Sequence, residues 1–162
     1  MDELQSTLNS GIVIRNAREG DVPAVTELVS SLGYPVTVEE LRPVLDLVLR
    51  TQGESVFLAE LNGSKVVGLM SLLLFPSLRL RGYQLTIEEL VVHPEHRGFG
   101  IGRAFLDFAR CYAQKSGAVM IEVLTNRRRE SFKRGFYEKN GFSISDHSVL
   151  RFDICNGVKT IV

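Results

Sequence analysis

The chain has 162 residues, 44% of them hydrophobic and 23% charged, and its 19 Lys+Arg balance 19 Asp+Glu, leaving a formal net charge of zero. That length and composition suit one globular domain with its own core and exclude a disordered chain, a collagen or a disulfide-dense mini-protein. Zero net charge supplies no bulk attraction to nucleic acid or an anionic membrane, so neither is expected as a partner.

Two cysteines, Cys111 and Cys155, are too few for a disulfide framework or a zinc ribbon. Met1 to Ser10 is polar and acidic, with no hydrophobic leader segment. No apolar run nears the roughly 18 residues of a membrane span. A cytoplasmic protein with reduced thiols is therefore expected.

In chain order, Gly11 to Arg15 reads as a short strand. Asp21 then offers a helix N-cap, Pro23 sits in the first turn, and Val22, Val25, Leu28, Val29 and Leu32 recur at helical spacing up to Gly33. Thr37 and Glu40 form a capping-box pattern ahead of a second helix. Pro43 predicts a kink there or two short pieces. Val56 to Leu61 and Lys65 to Phe75 read as strands joined by Asn62-Gly63, two residues that tolerate positive φ. Tyr83 to Val92 is a third long strand, in which Glu88 and Glu89 stand side by side. Adjacent strand residues point to opposite faces, so one carboxylate must face inward or a groove unless a bulge intervenes.

Ile101, Phe105, Phe108, Ala109 and Tyr112 mark one face of a helix ending near Ser116-Gly117. Cys111 falls on the same helix stripe as Ala104 and Phe108 and reads as a buried structural thiol; Cys155 reads as inert. Val119 to Leu124 reads as a buried strand, Ser131 to Lys139 as a helix stopped by Asn140-Gly141, and Phe142–Ile144 with Val149–Ile154 as a final hairpin. The element order β-α-α-β-β-β-α-β-α-β-β predicts one mixed α/β sheet.

The most informative segment runs from Leu90 to Arg103: Leu-Val-Val-His-Pro-Glu-His-Arg-Gly-Phe-Gly-Ile-Gly-Arg. It leaves a strand, turns at a proline and enters a helix through Gly98, Gly100 and Gly102. Glycine lets backbone N–H groups approach a ligand closely, and a helix N-terminus favours negative charge. Arg97 adds donors at the rim. These properties suit an anion, above all a pyrophosphate. A phosphate loop of nucleotide hydrolases would need Gly-Lys-Ser/Thr, but Arg103-Ala104 follows Gly102. A dinucleotide fingerprint would need Gly-x-Gly-x-x-Gly, which is also absent. Plain turn-and-packing glycines remain the bland alternative.

Arg97, Gly100 and Gly102 match the Arg/Gln-x-x-Gly-x-Gly/Ala motif of the GNAT superfamily of N-acetyltransferases, which the sequence resembles. The preceding Ile87-Glu88-Glu89-Leu90-Val91-Val92 and the later Tyr137-Glu138-Lys139-Asn140-Gly141-Phe142 resemble two further stretches of that family. Glu130 and Lys133 stand where family members often carry Asn and Ala. The resemblance implies a mixed, mostly antiparallel α/β sheet of roughly six to seven strands, flanked by about four helices. It covers residues 11–155, with 1–10 a flexible N-terminal tail and 156–162 a C-terminal tail.

The resemblance further implies acetyl transfer from acetyl-CoA to an amine, read here as a small molecule, by direct transfer in a ternary complex without a metal. In the family two strands splay and the pantetheine arm lies in the gap. Backbone of Leu90, Val91 and Val92 would hold that arm, and Arg97 with the amides of Gly98, Phe99, Gly100, Ile101, Gly102 and Arg103 would hold the pyrophosphate. Glu88, or else Glu89, is the candidate general base, because like charge side by side raises a carboxyl pKa. Tyr137 is the candidate general acid, still protonated when a thiolate of pKa about 8.5 departs. The alternatives are two solvent-facing acids and a core aromatic, and for the chain as a whole a non-catalytic CoA-sensing module.

His93 and His96 flank Glu95 in a turn, but the sequence supplies neither a third zinc ligand nor a second shell, so no metal is expected. Arg127, Arg128, Arg129, Lys133 and Arg134 form a basic cluster that suits the CoA 3′-phosphate or an anionic substrate, or else a solvated face. Loops like the one that carries Arg79 and Arg81 border the acceptor site in the family, so the resemblance implies that these two suit a carboxylate or phosphonate on the acceptor. Family members often dimerise, and the apolar stretch Val158–Val162 suits an interface.

Overall fold

A computed structural model of the chain describes residues 6–8, 11–150 and 152. They fall into two compact units, Met1–Leu124 and Thr125–Val162. The first unit carries strands β1 (Ser6–Leu8), β2 (Ile12–Asn16), β3 (Glu54–Leu61), β4 (Lys65–Ser77), β5 (Gly82–Val92) and β6 (Ala118–Val123), with helices α1 (Val22–Ser31), α2 (Val38–Arg50) and α3 (Ile101–Lys115). The second carries two one-turn helices, α4 (Glu130–Lys133) and α5 (Phe136–Lys139).

The six described strands form one sheet in sequential order. All neighbours are antiparallel except β5 and β6, which are parallel and joined by α3. The β3–β4 hairpin turns where the sequence placed it, with Asn62 and Gly63 at φ of 52° and 70°. On one face α1 and α2 bury Val22, Val25, Leu28 and Leu45 against Val56, Leu58, Leu69 and Val91. The alternate residue Phe57 packs on α3 instead, with ring centroids 4.6 Å from Phe108 and 5.7 Å from Tyr112. Gly68 lies under the same helix: a Cβ there would come within 2.9 Å of the Phe105 ring. The sheet is thus covered on both sides, and its middle strands are buried runs rather than alternating ones.

Several elements depart from expectation. Ser6–Leu8, placed in a flexible tail, pairs with Ile12–Ile14 as β1. Despite Pro43, α2 is one helix. Only one interior backbone bond is forfeited, and the Thr37–Glu40 capping box secures the start through reciprocal bonds of 2.8 and 3.2 Å. β6 is half exposed, Val119 most of all, since among the described residues it ends the sheet and has a neighbour on one side only. The expected helix Ser131–Lys139 is split into α4 and α5 by Gly135, which adopts φ 63°. Residues 142–150 form no strand, so the final hairpin is not seen there. Its remainder past residue 150, apart from Phe152, lies outside the described residues, as do Cys155 and Val158–Val162.

Cys111 is exposed, not buried. The buried face of α3 is centred near Phe105 and takes in Ile101, Leu106, Phe108, Ala109 and Ala113. Seven residues on an α-helix fall about 20° short of two full turns, which carries Cys111 past Ala104 and off the rim of that face.

Asp21 was expected as an N-cap, but its carboxylate does not cap α1. It accepts from Arg15 Nη1 and Nη2 at 2.8 and 2.9 Å and from the Arg18 amide at 2.7 Å. Arg15 also donates from Nε to Glu60 at 2.5 Å. Burial alone pushes the Asp21 carboxyl up, but the Arg15 fork and the Arg18 amide outweigh it and hold the group below its usual range.

Candidate active site

The site is built around the last five residues of β5. Pairing with β6 runs only from Tyr83 to Ile87 and closes with the Leu124 amide donating to the Ile87 carbonyl at 3.3 Å. From Glu88 onward β5 keeps β4 but has no strand partner on its other edge among the described residues. The His93 amide donates to Val67 in β4, and strand alternation then turns Leu90 and Val92 the other way. Their amides therefore open onto the gap left where β6 ends.

A bulge sits at the mouth of this gap. Ser71 pairs with Glu89 and Leu72 with Ile87, so Glu88 is the extra residue. The bulge is why both carboxylates are exposed although they are adjacent in a strand. Glu89 is engaged: the Ser71 hydroxyl donates to its carboxylate and accepts from its amide. Among the described residues no hydrogen bond or ion pair holds Glu88. Although its side chain reaches solvent, neighbouring protein strips part of its hydration, and Glu89 and Glu54 add like charge; together these push its carboxyl above the usual range.

Beyond β5 the chain makes a 3-10 turn, Pro94–His96, and reaches the glycines. Gly98 and Gly100 adopt φ of 87° and 82°, where a side chain is strained, and the space a Cβ would enter is open at both. Ala104 donates to the Gly100 carbonyl at 3.0 Å as the first bond of α3. The six amides before it, from Gly98 to Arg103, donate to no backbone acceptor among the described residues. Arg97 spends its Nε on the Val92 carbonyl at 3.1 Å, tying the turn to the free edge of β5.

In the second unit Tyr137 lies on α5 and is 8% exposed, edge-on to Phe136 and Phe142 at centroid distances of 5.1 and 6.1 Å. Burial raises its phenol above the usual value of about 10, partly offset by Thr125 and Arg129. The Thr125 hydroxyl is sealed from solvent and stops short of hydrogen-bond geometry.

A free strand edge leading into a run of unpaired amides at a helix start suits an extended chain ending in a pyrophosphate. The model of the acetyltransferase (GNAT) domain matches residues 52–144, more than half of the chain and the whole of this segment. The chain belongs to the GNAT acetyltransferases. It is 30% identical over 148 residues to the aminoalkylphosphonate N-acetyltransferase of Salmonella typhimurium, covering 83% of this chain and 95% of that one. A transcriptional regulator from Bacillus halodurans is similar in structure, with a TM-score of 0.77, 27% identity and 88% and 99% of the two chains covered. A Trypanosoma brucei acetyltransferase matches at a TM-score of 0.71 and 26% identity, over 88% and 99%.

As a GNAT acetyltransferase the chain is an acetyl-CoA-dependent N-acyltransferase. Its fold is the mixed, mostly antiparallel α/β sheet that the motifs implied, with six described strands at the low end of the expected count. No helix among the described residues is long and apolar enough to cross a membrane. Sequence reasoning missed Ser71 and Glu54, which bear on Glu89 and Glu88 from other strands and become visible only through register. Glu122 accepts from Gln84 Nε2 at 2.6 Å and lies 3.7 Å from Arg79. Within the basic cluster, Lys133 is paired with Glu130 at 3.0 Å.

Proposed function

We propose that this acetyltransferase moves the acetyl group of acetyl-CoA directly to a small-molecule amine within a ternary complex, with Glu88 as general base and Tyr137 as general acid. The observation that carries the reading is the free edge of β5 past Ile87, continuous with six unpaired amides at the start of α3. The pantetheine arm pairs along Leu90–Val92 as an added strand would, and the pyrophosphate sits on the amides of Gly98 to Arg103. The Leu90 amide faces the thioester carbonyl and stabilises the oxyanion as it forms.

An alkylamine has a pKa of about 10.4 and reaches the site as an ammonium. Glu88, made more basic by lost hydration and by Glu89 and Glu54, takes that proton directly or through water. The neutral nitrogen attacks the carbonyl carbon, and the C–S bond then breaks. Tyr137 gives its proton to the leaving sulfur, and the phenolate recovers one from the new amide nitrogen. Free CoA and the N-acetyl product leave with one proton released to solvent. Glu89, held by Ser71, is the alternative base. The 30% identical relative acts on aminoalkylphosphonates by name, so an amine bearing an acid group heads the acceptor panel.

The test is release of free thiol from acetyl-CoA with a panel of aminoalkylphosphonates, amino acids, diamines and aminoglycosides. Thiol release that depends on one acceptor class supports the reading. Tight acetyl-CoA binding with no release for any amine would leave the CoA-sensing module as the better description.

A further inference from the structure

We propose that His93, Glu95 and His96 form a site for a divalent transition metal, Zn2+ or Co2+, on the turn that carries β5 into the glycine loop. Among the described residues they are the only three His, Cys, Asp or Glu whose ligand atoms converge, all within 4.8 Å of one another. Glu95 was the missing third ligand in the sequence. The 3-10 turn brings its carboxylate to within 4.0 Å of His93 Nδ1.

Two independent features point to a ligand. First, His96 Nδ1 is sealed from solvent and has no hydrogen-bond partner among the described residues. Such an atom normally finds a protein group or a bound species. Second, His93 already has the surroundings of a ligating imidazole. Its Nε2 lies 3.3 Å from the Glu27 carboxylate on α1, and its Nδ1 accepts from the Glu95 amide at a long 3.4 Å. That pair of contacts places the proton on Nε2 and engages the Nδ1 lone pair with the Glu95 amide, a long bond that an ion at Nδ1 would displace. A carboxylate behind a ligating histidine is the outer-shell arrangement that orients zinc ligands and raises their basicity.

Ligand atoms about 2.0–2.1 Å from a tetrahedral ion sit roughly 3.3 Å apart, so the set must close by about an ångström and a half. Glu95 is an exposed side chain that can swing inward, while His93 stays held by Glu27. Two imidazoles and one carboxylate select Zn2+, Co2+ or Ni2+ over Mg2+ and Ca2+. The remaining coordination positions are filled by water. The ion adds a further tie to a turn whose backbone bonds run from His96 to His93 at 2.9 Å and from Arg97 to Pro94 at 3.3 Å and whose Arg97 side chain reaches Val92. It thereby stiffens the approach to the amides of Gly98 to Arg103. This site does not depend on the catalytic roles proposed above.

The experiment uses full-length protein freed of metal with EDTA. Calorimetry with Zn2+ should show one equivalent bound in the micromolar range or tighter, and Co2+ should give the visible absorption of a tetrahedral or five-coordinate centre. His96→Gln and His93→Gln should each weaken binding at least about tenfold, and Glu27→Gln, which acts only through His93, about tenfold. His147→Gln should change nothing. Circular dichroism of each variant separates lost binding from lost fold, and the wild-type Co2+ spectrum reads the site without any substitution. No Zn2+ binding up to about 1 mM would overturn the proposal. So would binding that survives the His93→Gln/His96→Gln double substitution, because the ion would then lie elsewhere.

Discussion

Glu88 and Glu89 share a backbone, yet a one-residue bulge gives them different chemistry. Glu89 is bonded to Ser71, whereas Glu88 has partial desolvation and two like-charged neighbours. If Glu88 is the base, kcat for an amine acceptor rises with pH through its raised pKa, and Glu88→Gln lowers kcat by about 10²–10⁴-fold and flattens that limb. The stability sign is the opposite of the activity sign. A carboxyl whose folded-state pKa is raised disfavours folding once ionised, so stability falls as pH rises through that value. Glu88→Gln is therefore expected to melt no lower than wild type at neutral pH. A slow variant that also melts much lower would point to a structural role. Tyr137→Phe should lower kcat while leaving the acetyl-CoA Kd unchanged by calorimetry. It should also remove the loss of rate that sets in above pH 10, since the raised phenol pKa keeps the donor protonated below that.

The glycine segment between β5 and α3 tests binding apart from chemistry. Gly100 sits at φ 82° with open space where a Cβ would go. Gly100→Glu adds strain of about 1–3 kcal/mol and places a carboxylate where the pyrophosphate is proposed to lie. The far-ultraviolet spectrum should survive while acetyl-CoA binding is lost by calorimetry; a variant that still binds tightly would show the loop misassigned. At the other end of the sheet, Arg15 ties β2 to β3 through Glu60 and to the start of α1 through Asp21. Asp21→Asn should cost about 2 kcal/mol in urea unfolding at neutral pH, because it halves a charged, largely buried fork. The Asp21 pKa is lowered in the fold, so its contribution is present above the unfolded value of about 4 and is lost as pH falls through the folded one.

What the sequence made legible were features with local causes. The Asn62-Gly63 turn, the Thr37–Glu40 capping box and the alternating glycines each need particular residues at fixed spacing, and each is found where expected. What it hid depends on partners far along the chain. The split of α4 from α5 turns on one left-handed glycine inside an otherwise helical pattern. The exposure of Cys111 depends on where the buried face of α3 is centred, which the sheet decides. Ser71 and Glu54 meet the paired glutamates only through strand register. The convergence of Glu95 with His93 and His96 depends on a turn geometry that spacing alone does not fix.

With a net charge of zero, the molecule has no general pull on a polyanion, so any grip on coenzyme A has to be local. That grip should appear as stabilisation: at a concentration about a hundred times Kd, CoA should raise stability by about 2.7 kcal/mol and Tm accordingly, while NAD and ATP should leave both unchanged. The account rests on two gap-facing amides of β5 and six amides at the opening of α3 acting as one binding surface. The most direct measurement is a 15N-labelled titration with acetyl-CoA, followed amide by amide. The amides of Leu90, Val92 and Gly98 to Arg103 should shift most and gain protection from exchange, while those at the start of α2 stay put. Saturable binding that moves other amides and leaves these eight unchanged would contradict it.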